Sequence, residues 1–134
     1  MKKTYQGSCH CGAVRYEADM DLAAGTIRCN CSICRKNRNW LAAVKGSDFR
    51  LVSGEGDLTQ YQFGTKRIQH MFCKHCGVHP FSRAASGAPA ERFHAVVVSC
   101  LDNVDTTELV NAPVMYVNGL EDDFKSPPAE TRHL

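Results

Sequence analysis

The chain has 134 residues, of which 43% are hydrophobic and 22% are charged, and its formal net charge is +2. These values suit one small globular domain with a real core, and they give no electrostatic footprint for nucleic acid or an anionic membrane. The longest apolar stretches, 40–44 and 95–98, are far shorter than the roughly 20 residues that a spanning helix needs. No apolar leader follows Met1, so we expect a cytoplasmic protein whose thiols stay reduced.

Short segments with strand character follow one another between turn-forming residues. Residues 13–17 alternate apolar and polar side chains, and residues 40–44 have the composition of a buried strand. Alternation returns at 58–63 and 67–72, and a valine-rich buried strand is predicted at 93–101. No window carries a long helical period. The pattern predicts a mainly β, sandwich-like domain.

The C-terminal part of the chain contains one helical signal. Residues 105–111 predict a short helix with Asp105 or Thr106 as its N-cap. The proline-rich segment after residue 125 is typical of a loop or terminus. We therefore expect a single domain over residues 1–125, followed by a loose tail at 126–134.

Eight cysteines dominate the chemistry of the sequence. Three separate close-spaced clusters are improbable as packing alone, and a disulfide framework does not suit a reducing compartment. A redox C-x-x-C motif would need a βαβ context that the sequence lacks. Metal binding, with zinc as the metal, is the interpretation that remains. The clusters are Cys9 and Cys11; Cys29, Cys31 and Cys34; and Cys73 and Cys76, with Cys100 standing alone.

The first and last clusters together have the ligand set of a closed structural zinc site. On an extended strand the side chains of Cys9 and Cys11 would point to one face. Cys73 and Cys76 bracket a tight knuckle, and Gly77 permits the positive φ that closes it. Zinc takes four ligands in a tetrahedron, so the two pairs complete one site.

The middle cluster supplies three thiolates from one short loop. Cys29, Cys31 and Cys34 would leave a fourth zinc position open, which is the pattern of a catalytic site. Zinc with three thiolates carries a net charge of about −1, so it suits an incoming thiolate better than water. The alternative is a structural site that a distant ligand completes, such as Cys100 or a histidine.

Other side chains near the clusters carry weaker signals. A buried thiol is the favoured interpretation of Cys100. His10, His75 and His79 lie beside ligands and are candidates for orienting them, although ordinary structural roles are favoured. His70, His94 and His133 give no signal.

A basic run of residues 35–38 follows the three-cysteine loop directly. Arg35, Lys36 and Arg38 either neutralise the negative site or hold the carboxylates of an anionic thiol. The sequence leaves both interpretations open.

Four stretches resemble one known family: residues 7–16, 29–36, 72–81 and 97–102. Their motifs are similar to those of the glutathione-dependent formaldehyde-activating enzyme family, which includes centromere protein V. The resemblance implies a tent-like fold of stacked antiparallel sheets, one zinc from the outer clusters and a second zinc on the middle cluster. It also implies condensation of formaldehyde with glutathione, formally a carbon–sulfur lyase reaction.

These observations together predict a zinc-dependent carbon–sulfur lyase-type enzyme with two Zn²⁺ ions per chain. It would join or split a small, glutathione-like thiol and an aldehyde such as formaldehyde, with no nucleic-acid or membrane partner. The alternative is a non-enzymatic zinc-binding interaction module or a thiol and zinc sensor.

Overall fold

Ten strands and two short helices make up the regular structure of the computed structural model, which describes residues 1–134. Single 3₁₀ turns lie in several of the connections. The elements are β1 Lys3–Ser8, β2 Arg15–Met20, β3 Thr26–Cys29, α1 Ser32–Asn37, β4 Leu41–Val44, β5 Phe49–Ser53, β6 Leu58–Tyr61, β7 Ile68–Cys73, β8 Phe81–Ala84, β9 His94–Val97, α2 Thr106–Asn111 and β10 Val114–Val117.

The strands form two sheets. The smaller sheet has the order β1-β2-β5, and the larger has the order β10-β3-β4-β9-β8-β7-β6. The predicted mainly β class is therefore confirmed. Every pair is antiparallel except β10 with β3, which run parallel with Val117 opposite Cys29. This parallel pair departs from the antiparallel sheets that were expected. Because β3 and β10 run in the same direction, the loops that follow them begin at the same edge of the sheet.

The core lies between the two sheets. Tyr16 on β2 and Phe81 on β8 are almost fully buried, and their rings meet edge to face with centroids 5.7 Å apart. Phe49 on β5 stacks on Tyr16 at 5.2 Å, and Val14 and Val96 fill the space around them. Burying aromatic rings of this size supplies much of the apolar contribution in a small domain.

Several strand predictions are close to the observed bounds. The predictions at 40–44, 58–63 and 67–72 correspond to β4, β6 and β7. The prediction at 13–17 begins two residues before β2 and ends three residues early. The sequence did not indicate β1, β3, β5, β8, β10 or α1.

The strand prediction at 93–101 is wrong in its second half. β9 ends at Val97, and Val98–Cys100 forms a 3₁₀ turn. Backbone bonds decide this change, since Val98 donates to the carbonyl of Trp40 and Leu101 closes the turn onto Val98. A run of buried β-branched residues is equally compatible with a buried turn, so composition could not locate the end of the strand.

The helix predicted near residue 105 is confirmed as α2. Asp105 is the N-cap, and its Oδ1 accepts from the backbone N–H of Glu108 at 2.8 Å. Glu108 accepts from the backbone N–H of Asp105 in return, which completes a capping box. Residues 126–134 contain no helix or strand. No helix in the structure is both long and apolar enough to cross a bilayer.

Candidate metal centres and an adjoining cavity

Four thiols from opposite ends of the sequence meet in one cluster. The Sγ atoms of Cys9, Cys11, Cys73 and Cys76 all lie within 4.8 Å of one another. The Cys9–Cys11 and Cys11–Cys73 sulfur distances are both 3.6 Å. Tetrahedral zinc with Zn–S bonds of about 2.3 Å sets its ligand sulfurs about 3.8 Å apart. This cluster can therefore hold a zinc ion with little rearrangement.

The local backbone differs from the predicted strand at one of the two pairs. Cys9 and Cys11 lie in the turn after β1, where Gly12 has a φ of 84°, and not on an extended strand. Cys73 ends β7, and the knuckle after it closes as predicted, with Gly77 at a φ of 76°. Turns bring sulfurs together at least as well as a strand, because they curve the chain around one point.

Backbone donors point at these sulfurs. Val14 N–H donates to Cys9 Sγ at 3.3 Å, and His75 N–H donates to Cys73 Sγ at 3.4 Å. Hydrogen bonds from the backbone of Cys11 and Val78 lower the pKa of Cys76 to about 6. Donors of this kind favour the thiolate form that a metal requires.

The remaining cysteine belongs to neither cluster. Cys100 Sγ donates to the carbonyl of His79 at 3.7 Å. Burial, and then the negative charge of Asp102, raise the pKa of Cys100 to about 11. Its charged neighbours include Cys9 and Cys76, so it lies by the four-thiol cluster and does not complete the middle one.

The histidines beside the outer clusters are not among the grouped ligands either. His10 is exposed, and His75 Nε2 lies 2.7 Å from Asp57 Oδ1 on the surface.

The three middle thiols also meet. Cys29 ends β3, Cys31 is the N-cap of α1, and Cys34 lies within that helix. Their Sγ atoms lie within 4.8 Å of one another, and no other histidine, cysteine or acidic residue joins the group. Hydrogen bonds from Cys29 and Cys34 lower the pKa of Cys31, and hydrogen bonding within the same cluster raises the pKa values of Cys29 and Cys34.

Nitrogen donors support this cluster as well. The backbone N–H of Cys31 donates to Cys29 Sγ at 3.3 Å, and the buried Asn39 amide donates to Cys34 Sγ at 3.5 Å. A donor set of three sulfurs with N–H support suits a soft, thiolate-binding metal such as zinc.

A C-terminal loop holds the middle cluster in place, and the sequence did not indicate it. Asn30, buried between Cys29 and Cys31, donates to Asn118 Oδ1 at 2.9 Å. Its own Oδ1 accepts from the backbone N–H of Leu120 at 3.0 Å. These contacts join residues about ninety positions apart, so no local pattern could show them.

An apolar cavity of about 300 Å³ lies directly against the middle cluster. Its lining includes all three thiols and nine hydrocarbon side chains, and Arg83 is the one strongly basic or acidic side chain in it. Arg35, Lys36 and Arg38 are exposed and lie outside this lining. The lining residues are Ile27, Cys29, Cys31, Ile33, Cys34, Asn39, Leu41, Phe63, Ile68, His70, Ser82, Arg83, Phe93, Ala95, Val117 and Phe124.

A chain of hydrogen bonds fixes the protons of two histidines beside the cavity. His79 Nδ1 must donate, because its partner is the carbonyl of Met71. Burial lowers the pKa of His79, so its Nε2 carries no proton and accepts from the Ser82 hydroxyl at 3.2 Å. The Ser82 oxygen then accepts from His70 Nδ1–H at 3.3 Å.

This arrangement leaves the Nε2 of His70 with a free lone pair. Burial also lowers the pKa of His70, which keeps the ring neutral. His70 had given no signal in the sequence, since only its position between β6 and β8 brings it to the cavity.

Fold and site together define a mainly β protein with two cysteine clusters that can each hold a metal ion. The sequence model of the family described as "Glutathione-dependent formaldehyde-activating enzyme" matches residues 4–118. The chain belongs to this family, as its motifs had indicated.

Individual relatives agree with this assignment. A Halomonas elongata protein, provisionally named a glutathione-dependent formaldehyde-activating enzyme, is 31% identical over 124 aligned positions, covering 75% of this chain and 79% of its own. A Phaeosphaeria nodorum protein with the same provisional name is 30% identical, covering 71% of this chain and 52% of its own. A Rhodobacter sphaeroides protein of known crystal structure superposes with a TM-score of 0.68 at 37% identity, covering 82% of this chain and 99% of its own.

Proposed function

We propose that the chain is a zinc-dependent carbon–sulfur lyase-type enzyme that joins or splits a small thiol, such as glutathione, and an aldehyde. The observation that carries this proposal is the three-thiol cluster with no fourth protein ligand, open to an adjoining cavity. Membership of the formaldehyde-activating family supports the same chemistry. We assign the four-thiol cluster to a structural zinc, because its protein ligands are complete.

In this proposal Cys29, Cys31 and Cys34 hold the second zinc. A zinc ion held by these three thiolates would keep a thiol substrate ionised at neutral pH and, with its net negative charge, would leave that sulfur nucleophilic. Cys31 N–H and the Asn39 amide maintain the ligand geometry through their bonds to Cys29 and Cys34. The hydrocarbon walls of the cavity exclude water from the reacting atoms.

The reaction needs one proton to move from the thiol to the product. The substrate sulfur attacks the carbonyl carbon, a C–S bond forms, and the C=O electron pair moves to the oxygen. His70 Nε2 accepts the thiol proton and then returns it to that oxygen, which becomes the hydroxyl of the adduct. Ser82 and His79 keep this nitrogen free by fixing the proton on Nδ1. The reverse order of steps splits the adduct.

A cobalt-substituted full chain tests the proposal, because Co²⁺ in a thiolate site absorbs visible light. Glutathione titrated into this protein should shift the cobalt bands, and Cys31→Ser should abolish the shift. The adduct with ¹³C-formaldehyde, followed by NMR, should form faster than the uncatalysed adduct. A cobalt spectrum that glutathione leaves unchanged would contradict the proposal and favour a zinc module without thiol chemistry.

The His70 role has a separate prediction with a pH readout. Burial lowers the pKa of His70 below 6.5, the ordinary pKa of a histidine side chain. At pH 6.5 the ring should therefore still be mostly neutral and able to accept a proton. The rate should fall only at lower pH, and His70→Gln should reduce it about a hundredfold and remove that pH dependence. His133→Gln, an exposed position near the chain end, is the matched control. An unchanged rate in His70→Gln, with glutathione still shifting the cobalt bands, would show that His70 holds no proton for the reaction.

A further inference from the structure

We infer that the aldehyde substrate carries an apolar body of phenyl or branched-alkyl size, which occupies the cavity beside the three-thiol cluster. This inference rests on the proposed function and names its substrate class. Formaldehyde, with two non-hydrogen atoms, would leave most of this space without contacts.

The volume of the cavity supports a ligand of that size. It holds about 300 Å³, and an engineered apolar cavity of about 150 Å³ already binds benzene. Ile27, Leu41, Ile68 and Val117 contribute hydrocarbon walls close to the thiols. These walls have no hydrogen-bonding groups to offer, so they select by shape and apolar area.

The mouth of the cavity carries three partly exposed phenylalanines. Phe63, Phe93 and Phe124 line it while 42%, 46% and 61% of their surfaces remain accessible. Exposed apolar rings grouped around a concave site mark ligand-binding surfaces. Phe124 also packs against Gly119, next to the sulfur of Cys29. An apolar aldehyde bound at the thiols would therefore cover these rings.

The charge of the lining decides which substrate occupies the cavity. Arg83 is its one strongly basic side chain, and the Arg83 Nε donates to Gln69 Oε1 at 2.8 Å. Glutathione carries two carboxylates and an ammonium group. Arg83 could pair with only one of these carboxylates, so burying the other two charges among hydrocarbon walls would be costly. Arg35 and Lys36 lie outside the cavity on the helix that bears Cys34, where they can meet carboxylates in solvent. The cavity thus suits the apolar body of the aldehyde, while the charged groups of glutathione stay outside it and only its sulfur reaches the cluster.

The test compares aldehydes with glutathione as the common thiol and the cobalt-loaded full chain as catalyst. We expect kcat/KM to rise from formaldehyde through 3-methylbutanal to phenylacetaldehyde, by about fourfold for each methylene buried. The anionic aldehyde glyoxylate should react more slowly than either larger aldehyde. A flat or falling series from formaldehyde to phenylacetaldehyde would overturn the inference.

A matched pair of variants tests whether the preference for apolar aldehydes arises in the cavity. Phe124→Ala should lower the ratio of phenylacetaldehyde to formaldehyde kcat/KM by about fivefold or more. Leu120→Ala removes a side chain of similar exposure, 59%, from the same loop but outside the cavity, and should keep the wild-type ratio. Equal ratios in both variants would contradict the assignment of the cavity.

Different results would contradict the proposed function and the inference about the aldehyde. If glutathione does not shift the cobalt bands, the proposed function fails. If glutathione binds and formaldehyde reacts while larger aldehydes do not, only the inference about the aldehyde fails. Benzyl mercaptan with formaldehyde is the remaining arm: if this pair reacts faster than glutathione with phenylacetaldehyde, the cavity holds the thiol and the inference is overturned.

Discussion

Gly119 shows how one missing side chain shapes the middle cluster. Its Cα lies so close to Cys29 that an added Cβ would overlap the Cys29 sulfur and press on the Cβ of Cys31 at 3.0 Å. Its backbone needs no positive φ, so the requirement is purely for space. Any larger residue at 119 must displace either the C-terminal loop or a metal ligand.

We therefore predict that Gly119→Ala loses the middle metal and keeps the other. The zinc content should fall from two ions per chain to one, with a stability loss of about 1–3 kcal/mol from overpacking. Gly56→Ala is the control, because no atom lies within 4 Å of its added Cβ. Elemental analysis and thermal melts measure both effects. Two zinc ions retained in Gly119→Ala would show that the loop moves without disturbing Cys29.

At the scale of elements, the parallel pairing of β10 with β3 builds the candidate site. The pairing ends with Val117 opposite Cys29, so the loops that follow the two strands leave the sheet side by side. Asn30 in the first loop then bonds to Asn118 and Leu120 in the second. Asn118 and Asp123 exchange backbone hydrogen bonds at 2.9 and 3.0 Å, which turns the second loop back toward the cavity.

Removing the Asn30 amide should loosen this contact. Asn30→Ala leaves two polar partners without their bonds, at a cost of about 1–3 kcal/mol. The backbone amide of Leu120 should exchange its hydrogen faster, because Asn30 Oδ1 is its acceptor. The control Asn37→Ala, at an exposed position in α1, should stay within about 0.5 kcal/mol of the wild type. Unchanged protection of Leu120 would show that the loop is held by other contacts.

At the scale of the whole molecule, the two cysteine clusters connect different parts of the structure. The four-thiol cluster joins the turn after β1, in the three-stranded sheet, to the end of β7, in the seven-stranded sheet. Cys9 and Cys73 also belong to the buried core. The three-thiol cluster draws on one short segment at the end of β3 and the start of α1. A metal in the first cluster therefore ties the sheets together, whereas a metal in the second closes only a local loop.

Cys9→Ser and Cys31→Ser should separate these roles. Cys9→Ser should remove one zinc and cost about 4 kcal/mol or more, because the metal site contributes folding free energy. Cys31→Ser should weaken the other zinc and leave the melting temperature near the wild-type value. Zinc analysis with thermal unfolding of both variants provides the measurement. Equal destabilisation would make the middle cluster structural and remove the main support for an enzyme.

The sequence alone determined the mainly β class, α2 with its N-cap, and the grouping of cysteines by spacing. These features depend on residues a few positions apart, whose geometry the backbone fixes locally. The prediction that Cys9 and Cys11 share one metal site with Cys73 and Cys76 also followed from the sequence, because a tetrahedral metal requires four ligands and the two pairs supply them.

The tertiary structure alone decided what surrounds the thiols. His70 reaches the cavity because β7 lies between β6 and β8 in the sheet, and Phe124 reaches it because β10 pairs in parallel with β3. The apolar lining comes from strands and loops spread between Ile27 and Phe124, each of which contributes only one or a few side chains. Local spacing carries no information about such long-range neighbours, since they meet only once the sheet order is set.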